Sequence, residues 1–282
     1  MTVSAAQKQY RQEMLKAFEA GQSLLRDTVT TETVVKGNQA EFLVSGSGGA
    51  TASTRGVNGQ IPARTDSNTQ TTTTLVEWHD LVRKTGFDVF SSQGDQRALM
   101  QRTTLEVMNR KMDSDILTEL NTATVTWGSG ATATEALCLK AKTILQIAKV
   151  PWDRNIFAVI SPAFEAYLMQ IDSYASQDYV DARPMVDGGG WNDMPQKKNW
   201  IGVNWIVHPD VPGVGTSTED CFMFHKSAVG HAVNTGGMDV AIGRDEEQDY
   251  SFARTTCFMG TQVLQNSGIV KMVHDGSAYV GS

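Results

Sequence analysis

Apolar positions recur along the chain with two distinct periods. From Asp95 to Asn121 there is neither Pro nor Gly, and Leu105, Met108, Met112, Ile116 and Leu120 return at spacings of three and four. That spacing predicts one helix about 40 Å long. Near the end, Tyr250 to Val263 alternates loosely through Phe252, Thr255, Thr256, Cys257, Phe258 and Val263, which predicts a strand of roughly 46 Å. The similar lengths allow helix and strand to lie along one another in an elongated subdomain.

A denser α/β passage separates the two. Thr132 and Glu135 form a capping box ahead of a helix with Leu137, Ala141, Ile144, Leu145 and Ala148 inward, closed by Pro151. Ile156 to Ile160 reads as a buried strand. Ser161 and Pro162 are then the N-cap and first position of a helix carrying Phe164, Tyr167, Leu168 and Ile171. A polar loop over 172–198 leads to strands at Ile201 to Val207, Cys221 to Phe224 and Met238 to Ile242.

The start of the chain reads differently. Ser4 and Gln7 make a capping box, and Tyr10, Met14 and Phe18 follow at i, i+4 spacing until Gly21. This short amphipathic helix carries Lys8, Arg11, Gln12 and Lys16 on its other face, and its stripe suits docking on another surface or packing within the subunit. From Ser45 to Thr74, 17 of 30 residues are Gly, Ser or Thr, with only Arg55, Arg64 and Asp66 charged. Such a segment cannot supply a core. Extended flanks at Glu41 to Val44 and Gln70 to Val76 make it a two-stranded projection with its tip around Gly56-Val57-Asn58-Gly59.

Composition narrows the function. With 282 residues, 40% of them hydrophobic, the chain buries enough surface to need no staples. No apolar run is long enough for a membrane span and no signal peptide opens the chain, so a soluble intracellular product is expected. Cys138, Cys221 and Cys257 stand apart among apolar neighbours and read as buried free thiols. The net charge is -7 and no basic run exceeds two residues, as in Lys197-Lys198, which argues against tight nucleic-acid binding.

Candidate chemistry is sparse. There is no Walker loop, Cys-x-x-Cys or His-Glu-x-x-His, and the glycine runs at Ser45 to Gly49 and Gly188 to Gly190 lack the context of a phosphate cradle. His79, His208, His225, His231 and His274 are scattered singly. Ser227, His225 and Asp239 make a triad on paper, without the Gly-x-Ser-x-Gly elbow. Asp239, Asp245, Glu246, Glu247 and Asp249 form an acidic cluster whose spacing matches no calcium loop; a solvated turn or an ion-pair partner for another subunit is the reading. Trp191, Trp200 and Trp205 surround the polar loop; Trp191 is an interface candidate and Trp205 reads as core.

In order, these parts are an N-terminal helical arm, a long Gly/Ser/Thr-rich projection, a spine helix, an α/β domain and a long strand returning to the spine. This layout resembles the major capsid protein of tailed bacteriophages, the Johnson fold, over almost the whole chain. The last third carries it most clearly: Phe222-Met223-Phe224-His225-Lys226 ending a strand, Met238 to Ile242, the acidic Asp245-Glu246-Glu247, the strand Tyr250 to Val263, then Gly268 to Val273. The resemblance implies an α+β chain with an N-arm (1–36), an extended E-loop (37–86), a peripheral domain with the spine helix (87–130, with return strands at 243–282) and an axial domain (131–242). The final strand, Ile269 to Val273, would pack back on the axial domain.

It further implies a homo-oligomer of pentamers and hexamers in an icosahedral shell. That shell encloses viral double-stranded DNA without sequence-specific binding, as part of the virion, and is assembled in the host cytoplasm. No cofactor, metal, membrane or enzymatic activity is implied. A portal and decoration proteins are the expected partners, and the short lead before the first helix suggests a separate scaffolding protein. Candidate inter-subunit contacts are Tyr10, Met14, Phe18, Arg55, Asn58, Arg64, Trp191, Asp245, Glu246 and Glu247. A shell protein of a cellular nanocompartment, a tail or other virion protein, and an enzyme with an unfamiliar site remain alternatives at this point.

Overall fold

The computed structural model describes residues 21–34, 36–91, 95–175 and 197–279. In chain order these form β1 (Thr30–Val34), β2 (Gln39–Gly46), β3 (Ser67–Thr74), β4 (Val76–Thr85), α1 (Gly86–Ser91), α2 (Gln96–Asn121), β5 (Thr126–Gly128), α3 (Glu135–Ile147), β6 (Ile156–Ile160), α4 (Pro162–Leu168), α5 (Asp172–Ala175), β7 (Lys197–Trp200), β8 (Val203–Val207), β9 (Glu219–His225), β10 (Val229–Asn234), β11 (Asp239–Asp245), β12 (Tyr250–Val263) and β13 (Ile269–His274). The helix and strand expected to be long are α2, with 26 residues, and β12, with 14. The chain divides into two compact units, and α2 and β12 each contribute to both.

One unit gathers 77–112 and 236–258 with 21–23. β11 pairs antiparallel with β12 from Asp239↔Thr256 to Asp245↔Tyr250, and β4 also pairs with β12. β4 alternates, with Trp78, Asp80, Val82 and Lys84 half-buried between exposed neighbours, as a half-covered strand should. The part of α2 in this unit buries Met100, Thr104, Met108 and Met112 at steps of four, while Leu105 is only half-buried. Thr104 belongs on that face because Thr255 Oγ1 donates to its hydroxyl at 2.9 Å. The Lys111 ammonium, 3.7 Å from the Trp78 ring centroid, adds a cation–π contact.

The other unit holds 24–76, 113–235 and 259–279. Its six-stranded sheet runs β5-β13-β9-β6-β8-β7, with β6 parallel to β8, β5 parallel to β13, and the remaining pairs antiparallel. The centre is buried on both faces, so β6 and the Cys221–Phe224 part of β9 are continuous apolar runs instead of alternating ones. α3 packs on this sheet through Leu137, Cys138, Ala141 and Leu145. Phe164 of α4 stacks 6.3 Å from Trp205, which lies 5.6 Å from Trp200. Trp200 and Trp205 are therefore both core residues. In the same unit β1 pairs parallel with β10, and β10 pairs antiparallel with the end of β12.

Several local readings shift. The α3 cap is Thr134, not Thr132: its hydroxyl accepts the Leu137 N–H, and Glu135 is the first helical residue. Ala148 is exposed at the helix end and Cys138 takes the inward position. The strand expected from Ile201 begins at Val203, because Ile201 (φ 52°) and Gly202 (φ 77°) form the mirror-image turn that joins β7 to β8. A Cβ on Gly202 would sit 2.6 Å from Trp152 Nε1, so glycine is required there twice over. β1 and β10 carried too few alternating apolar residues to be read as strands. Among the described residues, no helix is long and apolar enough to cross a membrane.

Candidate functional site

The projecting hairpin is ordered by its base. β2 and β3 pair from Gln39↔Thr74 to Gly46↔Ser67. Alternation sends Ala40 and Phe42 to one face, where they pack with Ala232 beneath Val34, Leu75 and Leu264. Phe42 lies so close to Gly230 that a Cβ there would meet its ring at 2.9 Å. Beyond this anchor every residue of 45–70 is exposed, including Val57 and Ile61. The tip closes where the Gly56 N–H donates to Gln60 O at 2.9 Å and the Gly59 N–H donates to Gly56 O at 2.8 Å, with Gly59 at φ 74°. Arg55 and Asn58 face solvent there. Arg64 pairs with Asp66 at 2.8 Å, an exposed ion pair that contributes little stability.

The acidic cluster is split in two by local geometry. Asp245 Oδ1 accepts the N–H groups of Glu247 (3.0 Å) and Gln248 (3.2 Å), and these bonds, with the Tyr250 hydroxyl, hold its carboxyl below the usual range. It builds the β11–β12 turn. Asp249 (φ 46°) pairs with Arg244, while Glu246 and Glu247 are exposed. α1 is tied to this turn by the Gly86 N–H donating to Asp249 O at 3.0 Å. Phe87 and Phe90 of α1 are 74% and 86% exposed, and no residue of this helix is buried. Sequence reading missed this pair because α1 has no periodic apolar neighbours. Tyr10, Met14, Phe18 and Trp191 lie outside the described residues.

The groups that could carry chemistry are fasteners. His225 meets Asp153, not Asp239, with Nε2 3.0 Å from Oδ1. Its Nδ1 lies 2.8 Å from Ser227 Oγ and also accepts the Ser227 N–H, which caps a 3-10 turn at Lys226–Ala228. The side-chain amide of Asn155, and then His225, hold the Asp153 carboxyl at about 2. Burial pushes the Cys138 thiol up to about 12 and raises that of Cys221 as well, which removes the thiolate needed for nucleophilic work. Among the described residues, no three His, Cys, Asp or Glu side chains gather as a metal site would need.

A family model for phage capsid protein matches residues 3–275, nearly the whole chain. The chain belongs to the phage capsid protein family. No curated protein matches it in sequence. Solved structures share the fold at low identity. The Mycobacterium phage Che8 structure matches with a TM-score of 0.71 at 17% identity, over 98% of this chain and 99% of that one. The capsid of cyanophage P-SCSP1u matches at 0.69 and 14% identity, over 96% and 93%. The capsid of a native GTA particle matches at 0.70 and 12%, over 98% and 99%. This capsid protein is a structural subunit of a head shell and not an enzyme.

Two buried polar anchors hold the capsid subunit, and neither was visible in sequence. Asp113 of α2 accepts the N–H groups of Leu24 (2.9 Å) and Leu25 (3.2 Å), and His208 Nε2 lies 3.3 Å from its carboxylate. His208 Nδ1 accepts from the Asp210 N–H, so Nε2 carries the hydrogen that points at Asp113. In the six-stranded sheet, Glu219 accepts the Gly215 N–H at 2.7 Å and the Ser161 hydroxyl, and faces His274 Nε2 at 3.0 Å. Ser161 also caps α4 by accepting the Phe164 N–H at 3.1 Å.

His231 sits on β10 with Nδ1 2.9 Å from Thr261 Oγ1 and no hydrogen bond to its buried Nε2. Burial lowers its pKa from 6.5, Asp115 opposes this and Arg26 adds to it; burial lowers that of His274 too. As pH falls through about 6.5 the unfolded chain takes up protons that the folded chain does not, so stability is lost as pH falls from about 6.5 to the folded pKa values. Each group steepens the slope by at most about 1.4 kcal/mol per pH unit. Urea melts between pH 7.5 and 5 should show this decline, and His231→Gln should flatten it; equal slopes in the two proteins would remove His231 from the account.

Proposed function

We propose that this capsid protein assembles as pentamers and hexamers into a closed icosahedral head that encloses double-stranded DNA. In this reading 1–36 is an arm, 37–86 an extended loop, 87–130 with 243–282 the peripheral domain and 131–242 the axial domain. The observation that carries it is the hairpin, whose base is packed on its own unit while 45–70 is wholly exposed. A segment with exposed Val57 and Ile61 and no apolar cover is built to contact something else, and in a shell the nearest surface is another copy. Interfaces of permanent assemblies commonly bury about 2,000 Å² or more, and projecting segments are one way to reach that area. The net charge of -7 suits a DNA container, since a wall that held phosphates tightly would hinder packing and release.

Scaffolding, portal and decoration proteins complete the proposal, with assembly in the host cytoplasm and residence in the virion. The test is negative-stain microscopy of the expressed protein, alone and with a candidate scaffold. Closed shells of uniform size are expected. Tubes would point to a tail protein, and an enzyme co-purifying inside the shells would point to a cellular compartment. Assembly should survive EDTA; particles that fall apart and recover specifically with Ca²⁺ would give the acidic turn a metal after all.

A further inference from the structure

We propose that Phe87, Phe90 and the neighbouring acidic turn form the seat for residues 4–18 of a second copy of this chain. The inference rests on the shell reading above and names one contact within it. α1 exposes two large aromatic rings from six residues, none of them buried. Covering such rings removes a large apolar area from water, and a turn this short gains nothing from leaving both exposed. The helix is held beside the β11–β12 turn through Gly86 and Asp249.

The charges around the seat decide its occupant. The basic groups nearby are engaged: Arg244 with Asp249, Lys84 with Gln96, Arg97 with Ser251, and Arg83 stacked 4.8 Å from the Tyr250 ring centroid. Asp245 is turned into the backbone of its own turn. Glu246 and Glu247, with Asp88 on α1, remain facing solvent, so the apolar pair has a negative flank. A matching partner needs an apolar stripe beside basic residues. Lys197-Lys198 has the charge without the stripe. Residues 4–18 have both: Tyr10, Met14 and Phe18 at steps of four, with Arg11 at the border of that stripe and Lys8 and Lys16 on the far face. A shell supplies this segment in every neighbouring copy.

The test uses particles assembled from two chains mixed in equal amounts, one carrying Ala17→Cys and the other Ser91→Cys. The native cysteines are buried and should not interfere. Mild oxidation should give a disulfide-linked dimer that is lost on reduction. A monomer crosslinked within a doubly substituted chain, with no mixed dimer, would place the segment on its own subunit and overturn the inference. Well-formed shells with no crosslink of either kind would overturn it while leaving the shell reading intact. Failure of the wild-type chain to form shells would remove both. As a second arm, Glu246→Lys with Glu247→Lys should slow assembly about tenfold at low salt, and adding Lys8→Glu and Arg11→Glu should restore it. Absence of rescue would mean that the acidic turn faces something other than this segment.

Discussion

Glu219→Ala is expected to lower the stability of the subunit by about 3–5 kcal/mol, because each buried donor left without its acceptor costs about 1–3 kcal/mol. Glu219 and His274 are both fully buried, and the carboxylate also serves Ser161 and the Gly215 N–H. Three donors from three places in the chain lose their acceptor at once. Ser161 is the α4 cap, so the damage extends to the start of that helix. Glu219→Gln keeps an acceptor for the Gly215 N–H and should cost clearly less. Thermal melts of the isolated subunit at pH 7.5 measure this, with a fall of roughly 10 °C expected for the alanine variant. Equal melting temperatures for alanine and wild type would show that the network contributes nothing net.

Excising 47–66 and joining Gly46 to Ser67 through Asn-Gly should abolish closed shells while leaving the subunit folded. Gly46 and Ser67 are register partners, so a two-residue turn closes the ladder without shifting Phe42. Every residue removed is exposed, so the melting temperature should change by no more than a few degrees. Sedimentation and microscopy report assembly, and circular dichroism reports the fold. Normal particles from the excised protein would remove the loop from the assembly account. An unfolded subunit would show that the loop supports its own chain.

Much of the architecture was legible because it rests on periodicity. The spacing of Met108, Met112, Ile116 and Leu120 gives α2, the apolar run Ile156 to Ile160 gives β6, and Ser161-Pro162 gives the start of α4. Elements were lost where side-chain pattern and backbone role part company. β1 is polar yet becomes a strand because β10 offers a parallel edge, and β7 is hidden by Ile201, an apolar residue serving as a turn. Among candidate contacts, the sequence marks Asp245, Glu246 and Glu247 alike, and only the turn geometry separates Asp245, which builds the turn, from the two that face out. Asp113 and Glu219 are single acidic letters in ordinary surroundings. Their importance comes from donors 88 and 58 residues away, which no local pattern records.

The strand after the Asp113 anchor has a mechanical consequence. Leu24 and Leu25 are clasped by one carboxylate, and Thr30 to Val34 then run parallel to Gly230 to Asn234 over five register pairs. Consider a pull on the chain at Leu24 directed along the β1 axis. Force in that direction loads all five pairs together in shear, whereas a pull across the ladder would open them one at a time. Tension would also have to break the clasp at Asp113 before it reached β1. The edge of the sheet is therefore protected against a pull in that direction, and force spectroscopy should find resistance concentrated between residues 24 and 34.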